Sequence, residues 1–149
     1  LFLLRAFTKQ YAMAGLRLGF GVCSNKTLLQ QMFHCGQPWS VSIPAQYAGI
    51  AALQCNDYWA HSLSLIHTER AFLIRELKKR NMNVIPSKAN YILFYSPIPL
   101  EQKLKECNVL IRNCENYRGL TKGYYRIAVR THDENVMLLH AIDQILQEV

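Results

Sequence analysis

At 149 residues the chain has room for one ordinary core and part of another; half of it is hydrophobic and no stretch is of low complexity, which excludes a disordered or fibrous protein. Seventeen Lys and Arg against ten Asp and Glu give a net charge of +7, but the basic residues are scattered, which argues against a nucleic-acid-binding stripe. The longest uncharged stretch, residues 27–56, is broken by Gln, His, Ser, Gly and Pro, so no membrane span is expected; Leu1–Leu4 meets Arg5 too soon for a secretory leader.

In chain order, Leu1 to Phe7 reads as a buried strand and leads into a loop carrying Lys9. Leu16 to Cys23 is a second apolar strand. Asn25 is placed to cap a helix running to about Cys35, and Gly36 to Ser40 is a loop. Ser42 and Pro44 open an alanine-rich helix through Leu53. Asn56-Asp57 breaks it and begins a long amphipathic helix to about Arg80, with Leu63, Ile66, Leu73 and Leu77 on one face. Tyr91 to Tyr95 reads as a strand, Pro99 to Cys107 as a short helix, Val109 to Arg112 as a strand, and Asn113 to Gly123 as a loop. From Tyr124 to Arg130 the pattern alternates, with Tyr125, Ile127 and Val129 on one face. Thr131-x-x-Glu134 is a capping box for a last helix whose Leu138, Ile142, Ile145 and Val149 share a face. Strands followed by separate helices suggest an α+β arrangement from about residue 57 onward.

Chemistry concentrates around Lys9. A lysine held in a low-dielectric pocket near other cations is a nucleophilic amine that can form a Schiff base with an aldehyde. An arginine a short way along the same loop, Arg17, can clamp a phosphate through parallel hydrogen bonds. Taken alone, a lysine and an arginine at this spacing fit an ordinary solvated surface better.

The whole run Thr8-Lys9-x-Tyr11-x-Met13-x-Gly15-Leu16-Arg17-Leu18-Gly19-Phe20 resembles the cofactor-lysine signature of the class I/II aminotransferases, the fold-type I enzymes that use pyridoxal 5'-phosphate (PLP). The resemblance implies that Lys9 is the Schiff-base lysine and Arg17 the cofactor-phosphate arginine. That family often carries a serine three residues before the lysine; here the position is Ala6, and Thr8 is the hydroxyl available instead. The resemblance also implies an α/β fold, namely a C-terminal portion of a fold-type I PLP-dependent transferase: the end of the large-domain sheet plus an α+β small domain. On this reading residues 1–56 are the C-terminal part of the large PLP-binding domain, with the lysine loop and interdomain segment, and residues 57–149 are the small C-terminal α+β domain.

Within the family, Gln37-Pro38-Trp39-Ser40-Val41, Ala89-Asn90-Tyr91, the run Ile111 to Leu120 and Tyr124 to Arg130 resemble the branch of threonine-phosphate decarboxylases, with the histidinol-phosphate aminotransferases as near relatives. The expected reaction is PLP-dependent decarboxylation of L-threonine O-3-phosphate in cobalamin biosynthesis; the alternative is amino transfer. Arg112 ends one apolar strand and Arg126 interrupts another, and a strand-embedded guanidinium usually has an anionic partner. The resemblance makes Arg126 the carboxylate site and Arg112 part of the phosphate site of the substrate, while structural pairing with Asp or Glu is the alternative. Asn90 is either a ligand contact or a turn-stabilising residue. The expected partners are a small phosphorylated amino acid and a second copy of the chain as a homodimer, with no nucleic acid and no membrane. The five histidines lack metal-ligand spacing, so no metal is expected. Five cysteines, an odd number without paired spacing, fit reduced thiols in the cytoplasm.

Overall fold

A computed structural model describes residues 1–148. The chain divides into two compact units, Leu1–Ser62 and the part from Leu63 onward.

In the first unit, β1 (Phe2–Ala6) pairs antiparallel with β2 (Gly19–Cys23), Arg5 facing Phe20 and Ala6 facing Gly19. A four-residue helix α1 (Phe7–Gln10) carries Lys9, where the sequence suggested only a loop. Helix α2 (Lys26–Cys35) is capped by Asn25, whose Oδ1 accepts from the Leu28 N–H at 3.0 Å. Helix α3 (Ile43–Gln54) has Ser42 as its cap and Pro44 in its first turn. Helix α4 (Asn56–Lys79) starts at the expected break. β1 is not the buried strand its apolar run suggested. Leu1 and Leu4 are exposed, Leu3 is half exposed, and of this stretch only Phe7 is buried. The reason is structural: among the described residues this sheet has only two strands, and no layer covers their apolar side chains.

The second unit has a four-stranded antiparallel sheet in the order β3 (Asn83–Val84), β4 (Tyr91–Tyr95), β6 (Tyr124–Ala128), β5 (Arg112–Asn113). Its inner face, Ile92, Phe94, Tyr125 and Ile127, packs with Leu73 and Leu77 of α4, Leu104 of α5 (Glu101–Glu106) and Leu138, Ile142 and Ile145 of α6 (His132–Gln147). Of the expected α4 face, Leu63 is half exposed, and only Leu73 and Leu77 are fully buried. The strand expected at Val109–Arg112 is reduced to Arg112–Asn113. Asn108 turns into the left-handed region at φ 59°, and the Val109 N–H returns to the Leu104 carbonyl at 2.8 Å. That bond closes the end of α5, so the backbone there is committed to the helix cap before ladder pairing begins. Asn81 and the bond from Met82 N–H to Leu77 carbonyl close α4 the same way.

Candidate functional site

The Lys9 segment is a loop fastened at its base. The Phe7 N–H donates to the Leu18 carbonyl at 3.1 Å, and both Tyr11 and Met13 N–H groups return to the Phe7 carbonyl. The Phe7 ring is buried, stacked on Tyr11 with centroids 5.0 Å apart. Gly49 of α3 allows this packing: a Cβ there would lie 2.5 Å from Leu18 Cδ2 and 3.9 Å from the Phe7 ring. At Gly19 a Cβ would meet the Arg5 carbonyl oxygen at 2.9 Å, so strand pairing at the loop's exit requires glycine. Gly15 of the same loop has open space around it.

Two non-glycine residues of the loop, Ala12 and Arg17, have φ near 54°. A left-handed conformation at such residues is uncommon and costs about 1 kcal/mol or more, and such strain concentrates at binding loops. Arg17 Nη1 donates to the Ala14 carbonyl at 3.1 Å, and the guanidinium has no carboxylate partner among the described residues. Lys9 is exposed and Thr8 half-buried. The low-dielectric pocket that the sequence suggested for Lys9 is therefore not formed within the first unit. The donor set still fits PLP: a primary amine unpaired among the described residues for an aldehyde, a guanidinium with free in-plane donors, and a hydroxyl on the residue before the lysine.

In the second unit, Arg112 and Arg126 are directly opposed across β5 and β6 and so project from the same face. That face lies opposite the buried Tyr125 and Ile127. Neither arginine pairs with a carboxylate among the described residues, so the structural ion pairs weighed as an alternative are not formed. Arg126 lies over the Tyr91 ring, its Cζ 5.0 Å from the centroid, and Arg112 lies over Tyr117 at 5.6 Å. Arg112 Nη2 also donates to Asn116 Oδ1 at 3.1 Å. Tyr91, Asn116 and Tyr117 lie in the runs that carry the family resemblance but were given no role from sequence; the ladder register that sets Tyr91 diagonal to Arg126 is visible only in the fold.

Asn90 leads into this face. Its carbonyl accepts from the Val129 N–H at 2.9 Å, while its side-chain amide has no hydrogen-bond partner among the described residues. The segment is braced by Arg70 Nη1 donating to the Ala89 carbonyl at 3.1 Å and by Ser87 Oγ donating to the Tyr91 carbonyl at 2.7 Å. The turn is thus held by backbone and by Ser87, not by the Asn90 side chain. At the far end of β6, buried Asn135 accepts from the Arg130 N–H and donates to the Arg130 carbonyl (2.9 Å) and to Glu69 (2.9 Å). Arg130 pairs with Glu134, which holds the Glu134 carboxyl down to about 2.

Among the described residues, no group of three or more His, Cys, Asp and Glu side chains could hold a metal ion, and no helix is long and apolar enough to cross a membrane.

Residues 1–142 match the family model for aminotransferase class I and II. The chain is 36% identical over 150 residues to the threonine-phosphate decarboxylase of Salmonella typhimurium, covering 98% of this chain and 41% of that protein. It is 32% identical over 154 residues to the histidinol-phosphate aminotransferase of Methanosphaera stadtmanae, covering 99% and 42%. The crystal structure of the histidinol-phosphate aminotransferase from Clostridium acetobutylicum superposes with a TM-score of 0.93 at 30% identity, over 99% of this chain and 46% of that one. The chain thus spans about two-fifths of the curated relatives it matches.

Proposed function

Because the chain belongs to the class I and II aminotransferases, a PLP-dependent enzyme family with an α/β fold, we propose that it carries cofactor- and substrate-binding residues for decarboxylation of L-threonine O-3-phosphate to aminopropanol phosphate. PLP, when bound, supplies an aldehyde carbon and an electron sink for the pair released at the substrate Cα. On this reading the Lys9 amine is the covalent attachment point, Arg17 takes the cofactor phosphate through its free guanidinium edge, and Thr8 adds a hydroxyl donor. Arg126 takes the substrate carboxylate, Arg112 its phosphate, and the free Asn90 amide a further polar contact. Domain roles follow the boundary that the family resemblance implies. Residues 1–56 serve the cofactor as the end of a large domain, and residues 57–149 serve the substrate as a small domain.

The observation that carries this reading is the opposed, carboxylate-free pair Arg112 and Arg126. Two like charges across a ladder are unfavourable unless an anion answers them. L-Threonine O-3-phosphate presents a carboxylate and a phosphate to such a pair in one molecule, whereas histidinol phosphate presents a phosphate alone and its amino transfer brings two anionic groups to the pair only with 2-oxoglutarate. Amino transfer on histidinol phosphate is the second reading, favoured by the 32% identity to the Methanosphaera enzyme. The proposal extends to a cytoplasmic homodimer acting on a small phosphorylated amino acid, with neither nucleic acid nor membrane as partner; sedimentation of the holoenzyme checks the dimer.

The deciding assay gives the PLP-loaded enzyme O-phospho-L-threonine without a keto acid. Release of CO2 with stoichiometric aminopropanol phosphate is expected. Turnover of histidinol phosphate that requires 2-oxoglutarate, with no CO2 from O-phospho-L-threonine, would replace this reading with the second.

A further inference from the structure

Arg112 and Arg126 face each other, yet each is long, flexible and, among the described residues, free of any carboxylate that would fix it. Left alone, two opposed guanidiniums lower their repulsion by swinging apart into solvent. The structure gives each a flat aromatic support instead. Tyr91 pairs with Ala128 across the ladder, which makes Arg126 its diagonal neighbour and brings Cζ to 5.0 Å from the ring centroid. Tyr117 supports Arg112 at 5.6 Å from a tight turn, in which the Tyr117 N–H donates to the Cys114 carbonyl and the Leu120 N–H returns to the Tyr117 carbonyl, both at 3.0 Å. Asn116 of the same turn accepts from Arg112 Nη2.

An aromatic face and a carboxylate hold a guanidinium in different ways. A carboxylate occupies the in-plane N–H donors, the same donors an anionic ligand needs. A ring occupies the flat face through the ring quadrupole and leaves those donors available. Tyr91 and Tyr117 keep 44% and 40% of their surface exposed, so neither support closes the arginine face to a ligand.

We propose that Tyr91 and Tyr117 are positioning residues that set the orientation of the Arg126 and Arg112 guanidiniums and leave the Arg126 N–H edge, and the Arg112 donors that Asn116 does not occupy, for the two anionic groups of an amino-acid phosphate. The choice of ligand rests on the function proposed above; the positioning itself does not. Arginine side-chain nitrogen-15 NMR on the full chain with PLP tests it. In the wild type, Hε of Arg126 and Arg112 is shifted upfield by the rings and rotation about Cζ–Nε is slowed. Tyr91→Leu and Tyr91→Gln abolish both effects at Arg126, and Tyr117→Leu and Tyr117→Gln abolish them at Arg112; reading two replacements guards against one that folds poorly. Tyr91→Phe and Tyr117→Phe retain both effects, because the ring face and not the hydroxyl is used. Affinity for O-phospho-L-threonine falls about five-fold in the Leu and Gln variants, the size of one exposed cation–π contact, and is restored by Phe. Guanidinium signals that do not change in folded Leu or Gln variants overturn the proposal. Signals that depend on the rings but do not respond to O-phospho-L-threonine or inorganic phosphate overturn only the amino-acid-phosphate reading, and the positioning role stands.

Discussion

Lys9 sits on a single helical turn anchored by a buried phenylalanine, and the residue is exposed, its amine unpaired among the described residues. The motif around it was legible because its residue types are chemically distinctive: an amine, a guanidinium, and a glycine, Gly19, where a Cβ would strike backbone. What the sequence could not convey was the side chain's surroundings. Desolvation depends on what packs around the amine in space, and of the apolar strand that leads into it Leu3 and Leu4 are themselves exposed. The covalent role has a direct check. After incubation with PLP and borohydride reduction, mass spectrometry of the wild type should place the cofactor adduct on the peptide containing Lys9. Lys9→Ala should lose the adduct altogether, while Arg17→Ala should keep it at a higher PLP concentration. An adduct spread over several surface lysines would remove Lys9 from this role.

Among the elements, helices were read more accurately than strands. Caps are local chemistry: Asn25, Ser42 and the Thr131–Glu134 box each declare a helix start within four residues, and all three are formed. Strands depend on partners far along the chain, so the two-residue β3 went unseen and β5 was placed too early. The Glu69–Asn135 contact, 66 residues apart, was likewise invisible, yet it fixes the end of the arginine-bearing β6. Asn135→Ala leaves the buried Glu69 carboxylate without its amide donor and the Arg130 peptide groups without their partner, at a cost of about 1–3 kcal/mol that urea unfolding would measure. A second contact binds the C-terminal end of α4 to α6: Arg80 forks onto Asp143 with bonds of 2.6 and 2.7 Å. Hydrogen bonding to Arg80 lowers the Asp143 carboxyl below its ordinary range. The folded value lies below the unfolded one, so the contribution is complete above about pH 4 and is lost as pH falls through the folded value. Asp143→Asn should therefore lower stability by about 0.5–1 kcal/mol at neutral pH, with the gap to wild type closing in acid. A gap that is the same at every pH would mean that the fork contributes through packing alone.

At the scale of the whole molecule, order is unevenly distributed. The second unit has a continuous core around Phe94, Leu73 and Ile142, whereas α2 buries no residue at all. Amide exchange should therefore be slowest in β4, β6 and α6 and fastest in α2, since protection follows local burial; equal protection in α2 would contradict that gradient. Family and fold class were readable from sequence because the motif and the helix caps are local, while the bareness of β1 and β2 was not, since hydrophobic composition does not say what covers a strand. One feature of the second unit reaches beyond binding. A sheet that sets Arg112 opposite Arg126 is frustrated while no anion answers the pair, and on the proposed function that frustration is the cost of recognition. Neutralising one member, as in Arg112→Gln, should make the empty protein more resistant to heat by about 0.2–1 kcal/mol while weakening its hold on phosphate, so that the most durable version of this fold is not the one best suited to its chemistry.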